Sequence, residues 1–121
     1  MMNDESNSDL RDRTKGFALR VIKLYSALPK STEAQIIGKQ ILRSGTSVGA
    51  QYREACRARS NAEFVSKMQS SLQELDETSY WLELLVDGNF VKAERLLDLQ
   101  DETNQLTAIF VASVKTAKSR G

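Results

Sequence analysis

Glu74 and Glu77 stand three residues apart, with Asp76 and Glu83 close by. On a helix, carboxylates at that spacing share a face. They could hold a metal ion there, or divide general-acid and general-base roles. More often, carboxylates so placed are solvated or pair with a neighbouring basic helix. Other chemistry is scarce. The 121 residues contain no histidine, which removes Ser-His-Asp and Cys-His nucleophile systems. It also removes HExxH zinc sites and the Glu-x-x-His pairs of di-iron bundles. The single cysteine, Cys56, can form neither a zinc finger nor an internal disulfide. It sits one turn after Tyr52 and reads as a small buried hydrophobe. The chain is therefore expected to be neither an enzyme nor a cofactor protein.

Residues 44–50, SGTSVGA, invite a phosphate-loop reading. A P-loop needs G-x-x-x-x-G-K-[ST] after a strand. Here Gly45 and Gly49 are four apart, no lysine follows and no strand precedes. Apolar residues instead keep helical spacing through the segment: Ile37, Ile41, Val48, Tyr52 and Ala55. Glycine inside a helix costs about 1 kcal/mol relative to alanine. Three of them, Gly38, Gly45 and Gly49, need a compensating gain, most simply a close helix–helix contact.

Net charge is +1, but its distribution is uneven. Residues 9–59 carry +7, residues 60–102 carry −7 and residues 103–121 carry +3. The basic helices could simply pack beside the acidic ones, or they could present a basic face to a polyanion. The candidate polyanion-binding residues are Arg11, Arg13, Lys15, Arg20, Lys23, Lys39, Arg53, Arg57 and Arg59. Arg53 and Arg57 lie one turn apart.

Four helices must position these groups. The first spans about Asp9–Leu28, with a stripe of Leu10, Phe17, Val21, Leu24 and Leu28, and Pro29 ends it. The second begins at Ser31 or Thr32, where Thr32 and Gln35 fit a capping box, and runs to about Ala58. The third starts at Ser60, boxed with Glu63, and carries Phe64, Met68, Leu72, Leu75, Ser79, Leu82 and Val86. Asp87-Gly88-Asn89 stops it, with Gly88 suited to the left-handed cap position. The fourth covers about Val91–Lys118. Short connections make this an all-α, antiparallel up-down-up-down four-helix bundle over residues 9–118. Residues 1–8 form a disordered tail and residues 119–121 a short C-terminal one. In that register, positions summing to about 119 face each other across helices two and three. Arg43 then falls opposite Asp76 and Glu77. An Arg43–Glu77 ion pair would fix the register. The alternative is that Arg43 points to a pore or an RNA phosphate.

Leu19, Ile22, Tyr80, Trp81 and Leu84 fall off the core stripes. Such a second apolar surface signals either a subunit interface or a wider buried face. No run of about 18 apolar residues could cross a membrane. The polar, acidic opening MMNDESNSD lacks the regions of a secretory signal, so a reducing cytoplasm is the expected compartment.

Three stretches together resemble a bacterial family: FALRVIKLYSALPK (17–30), QILRSGTSVGAQYREACRARSNAEFVSKM (40–68) and ELDETSYWLELL (74–85). The chain is similar to the four-helix bundle proteins encoded in intervening sequences of 23S ribosomal RNA genes. That grouping also takes in the accessory proteins of diversity-generating retroelements. The resemblance implies a four-helix bundle, a ring-like homopentamer and no enzymatic activity. For the retroelement type it implies association with a reverse transcriptase and its template RNA through basic surfaces. The near-zero net charge departs from that strongly basic type and leans toward the ribosomal branch. The expected function is that of a homo-oligomeric bundle associated with RNA or an RNA-handling complex. The alternative is a protein–protein scaffold that binds no nucleic acid.

Overall fold

The computed structural model describes residues 4–121, with side chains from Ser8 onward. Four helices account for nearly all of it: α1 (Asp4–Ala27), α2 (Thr32–Cys56), α3 (Asn61–Asp87) and α4 (Ala93–Arg120). Helix α1 thus starts ahead of the Asp9 cap expected from the sequence. Of the tail read over residues 1–8, residues 1–3 lie outside the described residues. At the other end only Gly121 lies beyond α4. Among the described residues, no helix is long and apolar enough to cross a membrane.

Each boundary has a local cause. Pro29 ends α1, and the Leu28 N–H turns back onto the Tyr25 carbonyl at 3.2 Å. Ser31, rather than Thr32, caps α2 by accepting from the Ala34 N–H at 3.3 Å. Gln35 instead ties down the turn, donating to the Pro29 carbonyl at 2.8 Å and accepting from the Tyr25 hydroxyl at 3.0 Å. At α3 half of the expected box forms, and Glu63 reaches one residue past the Ser60 cap. Ser60 Oγ accepts from the Glu63 N–H, and Glu63 accepts from the Arg59 N–H, both at 3.0 Å. The exit from α3 corrects the sequence reading: Asn89, with φ 64°, holds the left-handed position, while Gly88 stays at φ −82°. The Asn89 N–H reaches the Val86 carbonyl at 3.0 Å and the Phe90 N–H the Leu85 carbonyl at 2.9 Å. That is a Schellman closure, in which asparagine tolerates the left-handed backbone. Gly88 is small for another reason. The Phe90 ring folds over it, and a Cβ there would sit 2.7 Å from Phe90 Cε2.

Helix α2 runs unbroken through its glycines, and α1 explains them. A Cβ on Gly45 would lie 2.7 Å from Val21 Cγ2, one on Gly49 3.0 Å from Thr14 Oγ1, and one on Gly38 2.8 Å from the Tyr25 ring. The three glycines therefore form the surface into which α1 settles. On its other side α2 packs antiparallel to α3. Arg43 meets Glu77, Ser44 meets Thr78, the Val48 carbonyl accepts from Ser71 Oγ at 2.8 Å, and Glu54 meets Lys67. Helix α4 closes onto α3 through Gln100–Ser79 at 2.9 Å and Asn61–Ala117 at 2.7 Å.

The core is one cluster down the bundle axis, including Phe17, Val21, Ile41, Val48, Tyr52, Met68, Leu75, Leu82, Leu106 and Phe110. Each such side chain contributes roughly 1.5–3 kcal/mol on burial. Tyr52 and Phe110 stack at a tilt, 5.6 Å between centroids. Leu24, Ile37, Leu72 and Val86 are half-buried against this cluster, and Leu85 is a fully buried member. Ser79, expected in the stripe, is half-buried and serves as an acceptor.

Candidate nucleic-acid interface

The basic residues of α1 and α2 do not form one patch. Lys39 and Arg53 are about 21 Å apart along α2 at 1.5 Å per residue. The structure sorts the nine into two groups and two outliers. In the first group, Lys15 from α1 and Arg53 from α2 line a groove of about 380 Å³. Its walls are small side chains, Ala18, Thr46, Gly49 and Ala50. The groove exists because Gly49 and its neighbours carry so little bulk beside α1. Arg11 lies one turn from Lys15 on exposed α1 surface. Arg57 is the C-cap of α2 and Arg59 is exposed in the turn that follows. Cations there also complement the negative end of α2. Among the described residues, none of these five has a carboxylate within salt-bridge distance.

The second group, Arg20 and Lys23, lies farther along α1 on the side facing α4. One outlier is Lys39, exposed on the N-terminal half of α2. The other is Arg13. Its guanidinium grips Glu102 of α4 at 2.6 and 3.2 Å, with Gln105 at 3.3 Å. The hydrogen bond to Glu102 raises the Arg13 pKa further. Arg13 therefore serves as a bolt between α1 and α4, not as a free phosphate contact.

Arg43 is likewise spent inside the fold. It binds Glu77 at 2.9 Å and Glu74 at 3.1 and 3.3 Å. Glu74, which the sequence reads more ordinarily as a carboxylate solvated or paired with a basic helix, is 7% exposed and does pair with α2. Burial raises its pKa, and the adjacent Glu77 carboxylate adds to that, against the lowering effect of Arg43. Both carboxylates thus anchor the α2–α3 register. Cys56 is half-buried, not fully buried, and packs on the core. It contributes with burial to pushing the Tyr52 phenol pKa up.

A family model for the 23S rRNA-intervening sequence protein matches residues 6–112, nearly all of α1, all of α2 and α3, and most of α4. The chain belongs to that family. Among solved structures, the chain is similar to a crystal structure of a protein with unknown function from the S23 ribosomal protein family of Bacteroides thetaiotaomicron VPI-5482. The two are 36% identical over 87% of this chain and 97% of the other, with a TM-score of 0.82. No curated protein matches the chain.

The apolar residues off the core stripes also divide in this family member. Leu19 (56%), Ile22 (43%) and Tyr80 (54%) are exposed. Trp81 and Leu84 are half-buried, and Trp81 packs against the core while meeting Tyr80 edge-on at 5.1 Å. Trp81 belongs in part to the bundle interior, because its position on α3 lies between the α2 seam and solvent. Sequence reasoning also missed Arg95. It stands in the acidic first turns of α4, where no local charge signal marks it, and only the packing of α4 beside α1 brings it to Arg20 and Lys23.

Proposed function

We propose that this protein is a non-enzymatic, cytoplasmic, homo-oligomeric bundle that associates with RNA. Its contact surface is the α1–α2 groove flanked by Arg11, Lys15, Arg53, Arg57 and Arg59. The observation that carries the reading is the groove itself. Lys15 and Arg53 line it together across small side chains, and among the described residues neither has a carboxylate within salt-bridge distance. A channel of that kind admits a phosphodiester backbone and offers no pattern of donors to read bases. Membership of the 23S rRNA-intervening sequence family supports an RNA-related role. A self-assembled ring, of which a pentamer is the form implied by the resemblance, would repeat the groove and multiply its field. Exposed Leu19, Ile22 and Tyr80 supply surface for such assembly.

The test is titration of a structured RNA at two salt concentrations. With five phosphate contacts and a slope of about −0.7 per contact, raising salt from 50 to 200 mM weakens binding roughly 100-fold. Arg53→Glu with Arg57→Glu abolishes it while the helical signal stays. No binding at low salt, or binding indifferent to salt, overturns the reading. The scaffold alternative predicts that assembly and partner binding survive the double change and that RNA binds to neither form. A reverse-transcriptase partner, as in retroelement accessory proteins, is a narrower version of the proposal. A reverse-transcriptase gene beside this one would favour it.

A further inference from the structure

The second basic group surrounds a different kind of cavity. Where the C-terminal half of α1 meets the start of α4, Arg20, Lys23 and Arg95 rim a pocket of about 380 Å³. Among the described residues, none of the three has a carboxylate within salt-bridge distance. The floor is aliphatic, made by Leu24, Leu28 and Leu96. One acid, Asp98, stands on the rim. The pocket persists because α1 and α4 are the loosest of the neighbouring helix pairs, bolted together by Arg13–Glu102 farther along.

Three like charges around an apolar pit repel one another and are relieved by an anion. An inorganic anion would use the rim and leave the floor wet. A fatty acid would cover the floor but meet Asp98 with no donor to offer. A nucleotide answers every feature. Its phosphate meets the three cations, its base lies on the leucines, and an amino or hydroxyl group donates to Asp98. The volume falls within the range of about 300–1,000 Å³ usual for small-ligand pockets. We infer that the α1–α4 seam is a pocket for a single unstacked nucleotide, with Arg95 its third phosphate ligand. This rests on the RNA reading above and deepens it. The α1–α2 groove follows the backbone, and the seam takes one splayed base of a single-stranded segment.

The experiment titrates the full chain with AMP, UMP and inorganic phosphate separately, following backbone amide NMR shifts. The nucleotides move amides of residues 20–28 and 91–99 in a saturable way, and inorganic phosphate binds at least roughly tenfold more weakly. Arg95→Glu weakens nucleotide binding roughly tenfold or more. Ala27→Trp, which fills the pit without altering charge, removes the preference for nucleotide over phosphate. Ala27 is exposed, so this second variant keeps the test valid should Arg95→Glu disturb the fold. Arg53→Glu with Arg57→Glu leaves nucleotide binding unchanged. Nucleotide and phosphate binding equally, shifts elsewhere, or shifts untouched by both seam variants overturn the inference. RNA bound through the groove with a seam silent to nucleotides would sink this pocket and leave the RNA reading standing. A seam that binds nucleotides while the chain binds no RNA would do the reverse.

Discussion

Ser44 and Thr78 share a hydrogen bond of 2.7 Å across the fully buried seam of α2 and α3. Its direction follows from the neighbours. Thr78 spends its hydroxyl proton on the Glu74 carbonyl at 2.8 Å, so Ser44 is the donor and Thr78 Oγ1 the acceptor. A Ser–Thr pair in the core is specific to one register, because sliding either helix by a residue leaves Ser44 only its long bond to the Ile41 carbonyl and Thr78 only its own-helix bond.

Replacing one partner should therefore cost about 1 kcal/mol. Ser44→Ala leaves Thr78 satisfied by Glu74, and Thr78→Val leaves Ser44 only a long bond to the Ile41 carbonyl at 3.5 Å. The double variant should lose less than the sum of the singles. Urea unfolding of the three variants measures this, and additive losses would show that the two hydroxyls do not act together.

Gly45 is filled by Val21 rather than by its own side chain. Gly45→Ala gains about 1 kcal/mol in helix propensity but forces overpacking worth about 1–3 kcal/mol. The expected net is a loss of up to about 2 kcal/mol. Adding Val21→Ala vacates the colliding methyls and should recover the steric part of that loss. A single variant more stable than the parent would mean that α1 does not sit this close to α2.

Glu74 carries a pH dependence of defined sign. Its folded pKa is raised, chiefly by burial, so the folded chain holds this proton more tightly than the unfolded one. The stability from this group is present at low pH and is lost as pH rises through the raised value. On acidification from neutrality toward the ordinary glutamate value of about 4.3, the parent should gain stability relative to Glu74→Gln. Thermal unfolding at several pH values reads the difference. A parent that loses stability relative to Glu74→Gln over that range would contradict the assignment.

Tyr80 and Trp81 are adjacent but not equivalent. Tyr80→Glu places a charge on exposed surface and should shift any oligomer toward monomer with helicity kept. Trp81→Glu places it against the core, where an uncompensated charge is strongly destabilising, and should lower the melting temperature whatever the assembly state. Sedimentation velocity and circular dichroism on both variants separate the two effects.

Much of the bundle was legible in the residues. Heptad-like stripes on four segments, one proline and short polar connections set the helix number and order. The glycines of α2 announced a close neighbour, and the charge at Arg43 with the spacing to Glu77 located the α2–α3 register. These features are local, or repeat at the helix period, so a linear reading can find them. The rest depends on which faces meet. That Asn89 rather than Gly88 takes the left-handed backbone follows from where the Schellman hydrogen bonds to Val86 and Leu85 close. That Glu74 is buried beneath Arg43, that Arg13 is consumed by Glu102, and that Trp81 leans inward were set by the rotation of each helix about its axis. A charge count cannot see that rotation. The same rotation divided seven of the nine basic residues between a groove and a pocket rim and added Arg95 from the acidic first turns of α4. Side chains 75 residues apart in the chain become neighbours only when α4 closes against α1, and no pattern within either segment encodes that meeting.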